Sequence, residues 1–215
     1  MRKGRRKVWA VLLAGVMVLF VALTGCSGET SARSWVAPAE LTENEKERPN
    51  LIGDQKTCIL DFEATEQVDT LRLFAYQLVD GEWVRKTELG GFYGMADAQE
   101  QVRSPKGRLT LRFDTVPEGV SISMDTSNAS ETLKTTFQST PFEAPTEGGM
   151  IATEALGEKK TLEGTGEIPL VIQIIGENTY QTCSVDDFWD PAERLVQSDY
   201  LGVYALTMSF EEQPQ

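Results

Sequence analysis

From about residue 56 the chain alternates apolar and polar positions with a period of two. Cys58, Leu60 and Phe62 alternate with Thr57, Ile59 and Asp61. Leu109, Leu111 and Phe113 alternate with Arg108, Thr110 and Arg112. Val120, Ile122 and Met124 alternate with Ser121, Ser123 and Asp125, and Tyr204, Leu206, Met208 and Phe210 with Val203, Ala205, Thr207 and Ser209. Such alternation predicts strands with one side in a core and the other in water. Asp80-Gly81 joins Thr70–Val79 to Glu82–Leu89. A two-residue Asp-Gly loop predicts a hairpin, because both central positions need a positive φ. Leu133–Gln138, Met150–Ala155, Pro169–Ile175 and Thr179–Ser184 are further strand candidates. The run Leu170–Ile175 is apolar on both faces, which predicts a central strand, and Pro169 suits its first position.

Nine or ten short strands with little helix predict an all-β fold, an antiparallel β-sandwich of immunoglobulin-like or jelly-roll-like kind, with a closed barrel as the alternative. One or two short helices are expected beside it. Ala96–Arg103 fits two turns inside the connection from Gly90 to Gly107. Pro191–Gln197 has stronger signals: Asp190 at the cap, Pro191 at the first helical position and Glu193 at the third. Residues 56–215 are thus read as the β-sandwich domain. Residues 26–55 have no sustained period and are rich in Ser, Glu, Thr, Asn, Pro and Arg. They are expected to form a flexible tether, with Glu43–Pro49 too polar to pack.

The N-terminus has a different pattern. Arg2, Lys3, Arg5, Arg6 and Lys7 precede an uncharged, mostly apolar stretch from Val8 to Thr24, the order of a secretory signal. As a helix that stretch spans roughly 25 Å, short of a hydrocarbon core of about 30 Å. It closes on Leu23-Thr24-Gly25-Cys26, which resembles the lipobox of bacterial lipoproteins. The resemblance covers residues 1–26. It implies that residues 1–25 are a signal peptide removed on export, and that Cys26 becomes the N-terminus bearing a thioether-linked diacylglycerol. Two acyl chains suit stable anchoring. The implied location is extracytoplasmic, on the cell membrane. In an organism with two membranes, Ser27 after the Cys is compatible with the outer one.

Loss of residues 1–25 removes five of 20 basic residues and none of the 33 acidic ones, leaving a net charge of −18. Such a surface repels nucleic acid and anionic headgroups. No histidine occurs in the chain, which excludes Ser-His-Asp and Cys-His catalysis and His-ligated zinc or haem. Beyond Cys26 two cysteines remain, Cys58 and Cys183. In an oxidising compartment an even pair predicts a disulfide; the plainer alternative is two buried thiols.

Three features invite a chemical reading. Asp186, Asp187, Asp190 and Glu193 set four carboxylates in eight residues, a density that a hard cation favours. The spacing is not that of an EF-hand, and service at a helix N-terminus is the plainer expectation, so no metal is assigned. Tyr76, Trp83, Phe92, Tyr93 and Trp189 are candidates for a flat sugar-binding platform. Yet Tyr76 and Trp83 share a hairpin where aromatic pairs stabilise sheets, and Trp189 reads as a core plug. Gly90-Gly91-Phe92-Tyr93-Gly94 opens a long connection and lacks the ending of a phosphate loop. Asn128-Ala129-Ser130 matches a glycosylation sequon by chance. No cofactor is expected. The combined reading is a lipid-anchored binding or scaffolding module for an envelope protein or glycan. A carboxylate-based glycan hydrolase and an accessory subunit of an envelope complex are the alternatives.

Overall fold

The computed structural model describes residues 33–46, 56–65, 68–92, 106–127, 132–140, 142, 149–177, 183–191, 195 and 200–212. Among them are the strands β1 (Ser34–Pro38), β2 (Lys56–Glu63), β3 (Val68–Val79), β4 (Glu82–Phe92), β5 (Lys106–Phe113), β6 (Val120–Ser127), β7 (Thr132–Ser139), β8 (Met150–Ala155), β9 (Lys160–Leu162), β10 (Gly166–Gly176) and β11 (Tyr200–Glu212). They form a six-stranded sheet, β7-β6-β5-β2-β1-β9, and a five-stranded sheet, β4-β3-β11-β10-β8. Every pairing is antiparallel. The fold is an all-β sandwich and not a barrel. Among the described residues no helix is long and apolar enough to cross a membrane.

The core between the sheets comes from the inward rows of both. Leu60, Phe62, Leu109, Leu111, Ile122 and Met124 meet Leu71, Leu73, Leu170, Leu206, Met208 and Phe210. The expected hairpin is present: Val79 pairs with Glu82, and Asp80 and Gly81 have φ of 52° and 84°. In β10 the register shifts between Pro169 and Val171. Pro169 has no N–H to give the ladder, so a bulge forms there. The bulge lets Leu170 and Val171 both join the inner core, after which Ile172 and Ile174 face outward.

Two expectations about the sheets are corrected. The tether expected over residues 26–55 does not hold at Ser34–Pro38, which pairs with β2 on one side and β9 on the other. Val36 is buried in the core. Apolar Trp35 and Val36 supply the strand, and the surrounding polar composition hid a five-residue segment. Thr42 and Glu45 then form a capping box on α1 (Glu43–Lys46). The Glu45 carboxylate accepts the Thr42 N–H at 2.8 Å, and the Thr42 hydroxyl accepts the Glu45 N–H at 3.3 Å. Arg108 on β5 fastens α1, bonding Glu45 at 2.9 Å and Asp61 in a fork at 2.7 and 3.1 Å. These contacts hold the Glu45 carboxyl below its usual range, first through the Thr42 N–H.

The second correction concerns β11. Its alternation predicts a wet row at Val203, Ala205, Thr207 and Ser209, yet all four are buried. A second apolar cluster covers part of this outer face: Phe74, Tyr76, Ile172, Ile174, Val203 and Ala205 pack under Cys183, Phe188 and Leu195. The covering turn is a 3-10 helix, Val185–Phe188. The strand expected over Thr179–Ser184 is not seen at Cys183 and Ser184, which lead into this turn; residues 179–182 lie outside the described residues.

The same arrangement overturns the disulfide. Cys58 and Cys183 are both buried and not bonded. Cys58 faces the core between the sheets, whereas Cys183 lies on the far side of the five-stranded sheet, its thiol 3.9 Å from the Ile172 carbonyl. Stacked sheets stand about 10 Å apart, and a disulfide needs Cα atoms within about 7 Å. An even count therefore does not imply a bond here. Burial pushes the Cys58 thiol up to about 12.

Candidate functional site

Strand directions give the sandwich two ends. β1 starts at one of them. There the Ser34 hydroxyl accepts the Thr65 N–H at 3.0 Å, Arg33 pairs with Glu163, and β2 hands over to β3. At the other end β5 stops, β6 starts and β7 stops. Between these termini lies a cleft of about 550 Å³, lined by Arg112, Phe113, Asp114, Glu118, Gly119, Val120, Ser121, Gln138, Ser139 and Thr140.

The loop that shapes the cleft is fixed from below. Gln173 projects from β10 into the core and is fully buried. Its Oε1 accepts the Val116 N–H at 2.7 Å; its Nε2 donates to Thr153 Oγ1 at 3.1 Å and to the Asp114 carbonyl at 3.3 Å. One amide thus ties the β5–β6 loop of the first sheet to β10 and β8 of the second. A buried amide lowers the free energy of a fold only when its donors and acceptors are met, as they are here. The loop closes on itself through Gly119 N–H to the Thr115 carbonyl at 3.3 Å, with Gly119 at φ 148°, a conformation that favours glycine.

The cleft side chains themselves are uncommitted. Among the described residues, Arg33, Arg72, Arg85 and Arg108 all stand in ion pairs with carboxylates, whereas Arg112 stands in none. The carboxylates of Asp114 and Glu118 likewise make no hydrogen bond or ion pair within the described chain. One guanidinium, two carboxylates, hydroxyls at Ser121, Ser139 and Thr140 and the Gln138 amide therefore line a cleft whose floor is rigid. These groups can bind a small polar ligand bearing both charges.

The residues singled out from sequence fall elsewhere. In the acidic segment, Asp187 serves a capping box: its carboxylate accepts the Ser184 N–H at 2.8 Å, and the Ser184 hydroxyl accepts the Asp186 N–H at 3.3 Å. Asp186 pairs with Lys160 at 3.0 Å, and Asp190 is exposed beyond the turn. The turn at Val185–Phe188 is thus capped by Ser184 and Asp187; the cap expected of Asp190 belongs to the helix expected from Pro191. Glu193 lies outside the described residues, as does the helix expected over Pro191–Gln197 apart from Pro191 and Leu195. Among the described residues no three potential ligands converge on a metal position.

Of the aromatic candidates, Tyr76, Trp83 and Trp189 gather around Phe188. The ring centroids lie 5.2 Å (Tyr76), 5.3 Å (Trp83, stacked) and 5.2 Å (Trp189) from it. Phe188 is the plug, and Trp189, expected in the core, is 60% exposed. Trp83 spends its face on Phe188, so Tyr76, Trp83 and Trp189, the three candidates with described side chains, form no continuous flat platform. Beside the cluster, Arg85 stacks over Phe74 at 3.9 Å and shares Glu167 with the Tyr76 hydroxyl, each bonding Oε2 at 3.0 Å. Burial first, and the Glu167 carboxylate after it, raise the Tyr76 pKa against the opposing pull of Arg85. Gly90 and Gly91 belong to β4. Tyr93, the helix expected over Ala96–Arg103, Asn128-Ala129-Ser130 and the lipobox with Cys26 lie outside the described residues.

Sequence reasoning passed over Arg112, Asp114, Glu118 and Gln173. Gln173 did carry a signal: one amide inside an otherwise apolar run. No family model, curated protein or solved structure matches the chain.

Proposed function

We propose that this chain is a lipid-anchored, extracytoplasmic binding module, held to the membrane through Cys26, with its ligand site at the end of the sandwich opposite the start of β1. The observation that carries the reading is the cleft at the β5–β6–β7 end, whose charged groups have no partners among the described residues. The lipobox-like Leu23-Thr24-Gly25-Cys26 supports the address. Only seven residues separate Cys26 from Ser34. Fully extended they reach roughly 25 Å, which bounds the distance from a lipid on Cys26 to the β1 start. β1 then runs away from that end, toward the one that bears the cleft.

Two measurements test the two halves of this reading. Palmitate-analogue labelling should follow the wild type and vanish in Cys26→Ser; continued labelling places the anchor elsewhere. A soluble digest of cell envelope, containing glycan fragments and peptides, should raise the Tm of the detergent-solubilised protein, because a ligand of the folded state alone stabilises it. The rise should disappear in Ser139→Trp, which fills the cleft. An unchanged Tm in wild type removes the cleft from the reading. Asp114 and Glu118 favour a second reading, hydrolysis of a glycan by paired carboxylates; cleavage of envelope glycan, abolished by Asp114→Asn or Glu118→Gln, would establish it.

A further inference from the structure

We infer that the cleft recognises a small zwitterion, the end of a short peptide or an amino acid, with Arg112 taking its carboxylate and Asp114 and Glu118 taking its ammonium group. The inference rests on the binding-module reading and names the ligand class of that same site. Three observations converge on it. First, Arg112 is the described arginine that stands outside the ion pairs, although the mature chain is strongly acidic. A guanidinium left open in a cleft presents a fork of N–H donors that fits one carboxylate with two parallel bonds. Second, Asp114 and Glu118 line the same cleft and are acceptor-only groups when ionised. A purely anionic ligand would meet them as repulsion, and a purely cationic one would meet Arg112. A ligand with both charges satisfies all three. Third, the volume of about 550 Å³ falls within the range usual for small-ligand sites. The lining is polar, which suits a ligand with little apolar surface.

Preorganisation sharpens the fit. Gln173 holds the loop bearing Asp114 to the opposite sheet, while Arg112 stands on β5 and Ser121 on β6, both in regular ladder. The carboxylate arm and the guanidinium arm therefore come from two separately braced elements. Their backbones are thereby held before the ligand arrives, which lowers the ordering cost of binding.

The experiment is calorimetric titration of the full-length protein in detergent micelles with trialanine, N-acetyl-trialanine, trialanine amide and chitotriose. Trialanine should bind, and each blocked peptide should bind at least about tenfold more weakly, since each loses one charge-assisted contact. Arg112→Gln should reduce trialanine affinity to that of the amide for wild type while leaving the amide's own affinity unchanged. Should Arg112→Gln lower the folded fraction, the acetylated and amidated peptides on wild type carry the same discrimination. Equal affinity for the free and blocked peptides overturns the proposal. So does binding of chitotriose without binding of trialanine, or no binding of any of the four at millimolar concentration. In either of the last two cases a Tm rise with the envelope digest, lost in Ser139→Trp, keeps the binding-module reading and discards only the zwitterion.

Discussion

The outward rows of the two sheets are written with the same period and meet water differently. On the six-stranded sheet, Thr57, Asp61, Arg108, Thr110, Arg112, Ser121, Ser123 and Asp125 all keep part of their surface exposed. On β11 of the five-stranded sheet, Val203, Ala205, Thr207 and Ser209 are buried, the first two under the turn Val185–Phe188 and its neighbours. The sequence does distinguish the two rows, though not by period. The first carries charges, which resist burial; the second carries only small or apolar side chains, which tolerate a cover. The central strands of the five-stranded sheet, dry on both faces where the cover lies, behave like those of a larger protein, and β10 reads as a near-continuous apolar run. Alternation alone says that two faces differ; the chemistry of the less apolar row says whether water reaches it.

If the cover is integral to the fold, its plug should be costly to remove. Phe188→Ala should destabilise by about 3–5 kcal/mol, as loss of a buried aromatic does, whereas Thr110→Ala on the open row should cost no more than about 0.5 kcal/mol. Urea unfolding of both variants checks the contrast; similar costs would erase it.

The two cysteines probe the two layers chemically. Burial raises the Cys58 pKa to about 12 from an ordinary 9.0. The unfolded chain then loses that proton before the folded one, so stability is intact below pH 9 and falls as pH rises toward 12. The slope attributable to this thiol is about 1.4 kcal/mol per pH unit. Cys58→Val should remove that share of the alkaline slope, read from Tm against pH. Millimolar dithiothreitol should leave the wild-type Tm unchanged, because no bond joins Cys58 to Cys183; a drop of several degrees would restore the disulfide.

Gln173 is the polar exception within the dry layer. Gln173→Leu keeps the volume and strands the Val116 N–H and the Asp114 carbonyl. A cost of about 1–3 kcal/mol is expected, together with weaker ligand binding at the cleft it braces. A smaller effect belongs to the edge of the cover. Ser184→Ala removes the hydroxyl that accepts the Asp186 N–H and should cost about 0.5–2 kcal/mol by thermal unfolding.

Much of the fold was legible because strand formation on this chain is local in its signals. The alternation of β2, β5 and β6, the Asp80-Gly81 turn and the all-apolar β10 each follow from side chains within a few residues of one another. The short strands were not. Ser34–Pro38 has two apolar residues in a polar region and becomes a strand only because β2 and β9, distant in sequence, offer it ladders on both sides. β9 has three residues, too few for any period. The candidate site was the least legible part. Arg112 looks like any outward residue of an alternating strand, and Asp114 and Glu118 like any loop carboxylates. Their difference from Arg108 and Asp61 is that those two found each other and Glu45, whereas these have no partner among the described residues.

By itself, then, the order of residues determined the all-β class, the phase of most strands, the exclusion of histidine chemistry and the lipobox-like pattern at Cys26. The tertiary structure decided which sheet is covered, which cysteines can meet and which charges remain unpaired. The physical reason is range. Propensity, turns and patterning act between neighbours in the chain, while burial, ion pairing and sulfur–sulfur distance depend on which sheet face a residue joins. That choice is made by ladders between strands far apart in sequence.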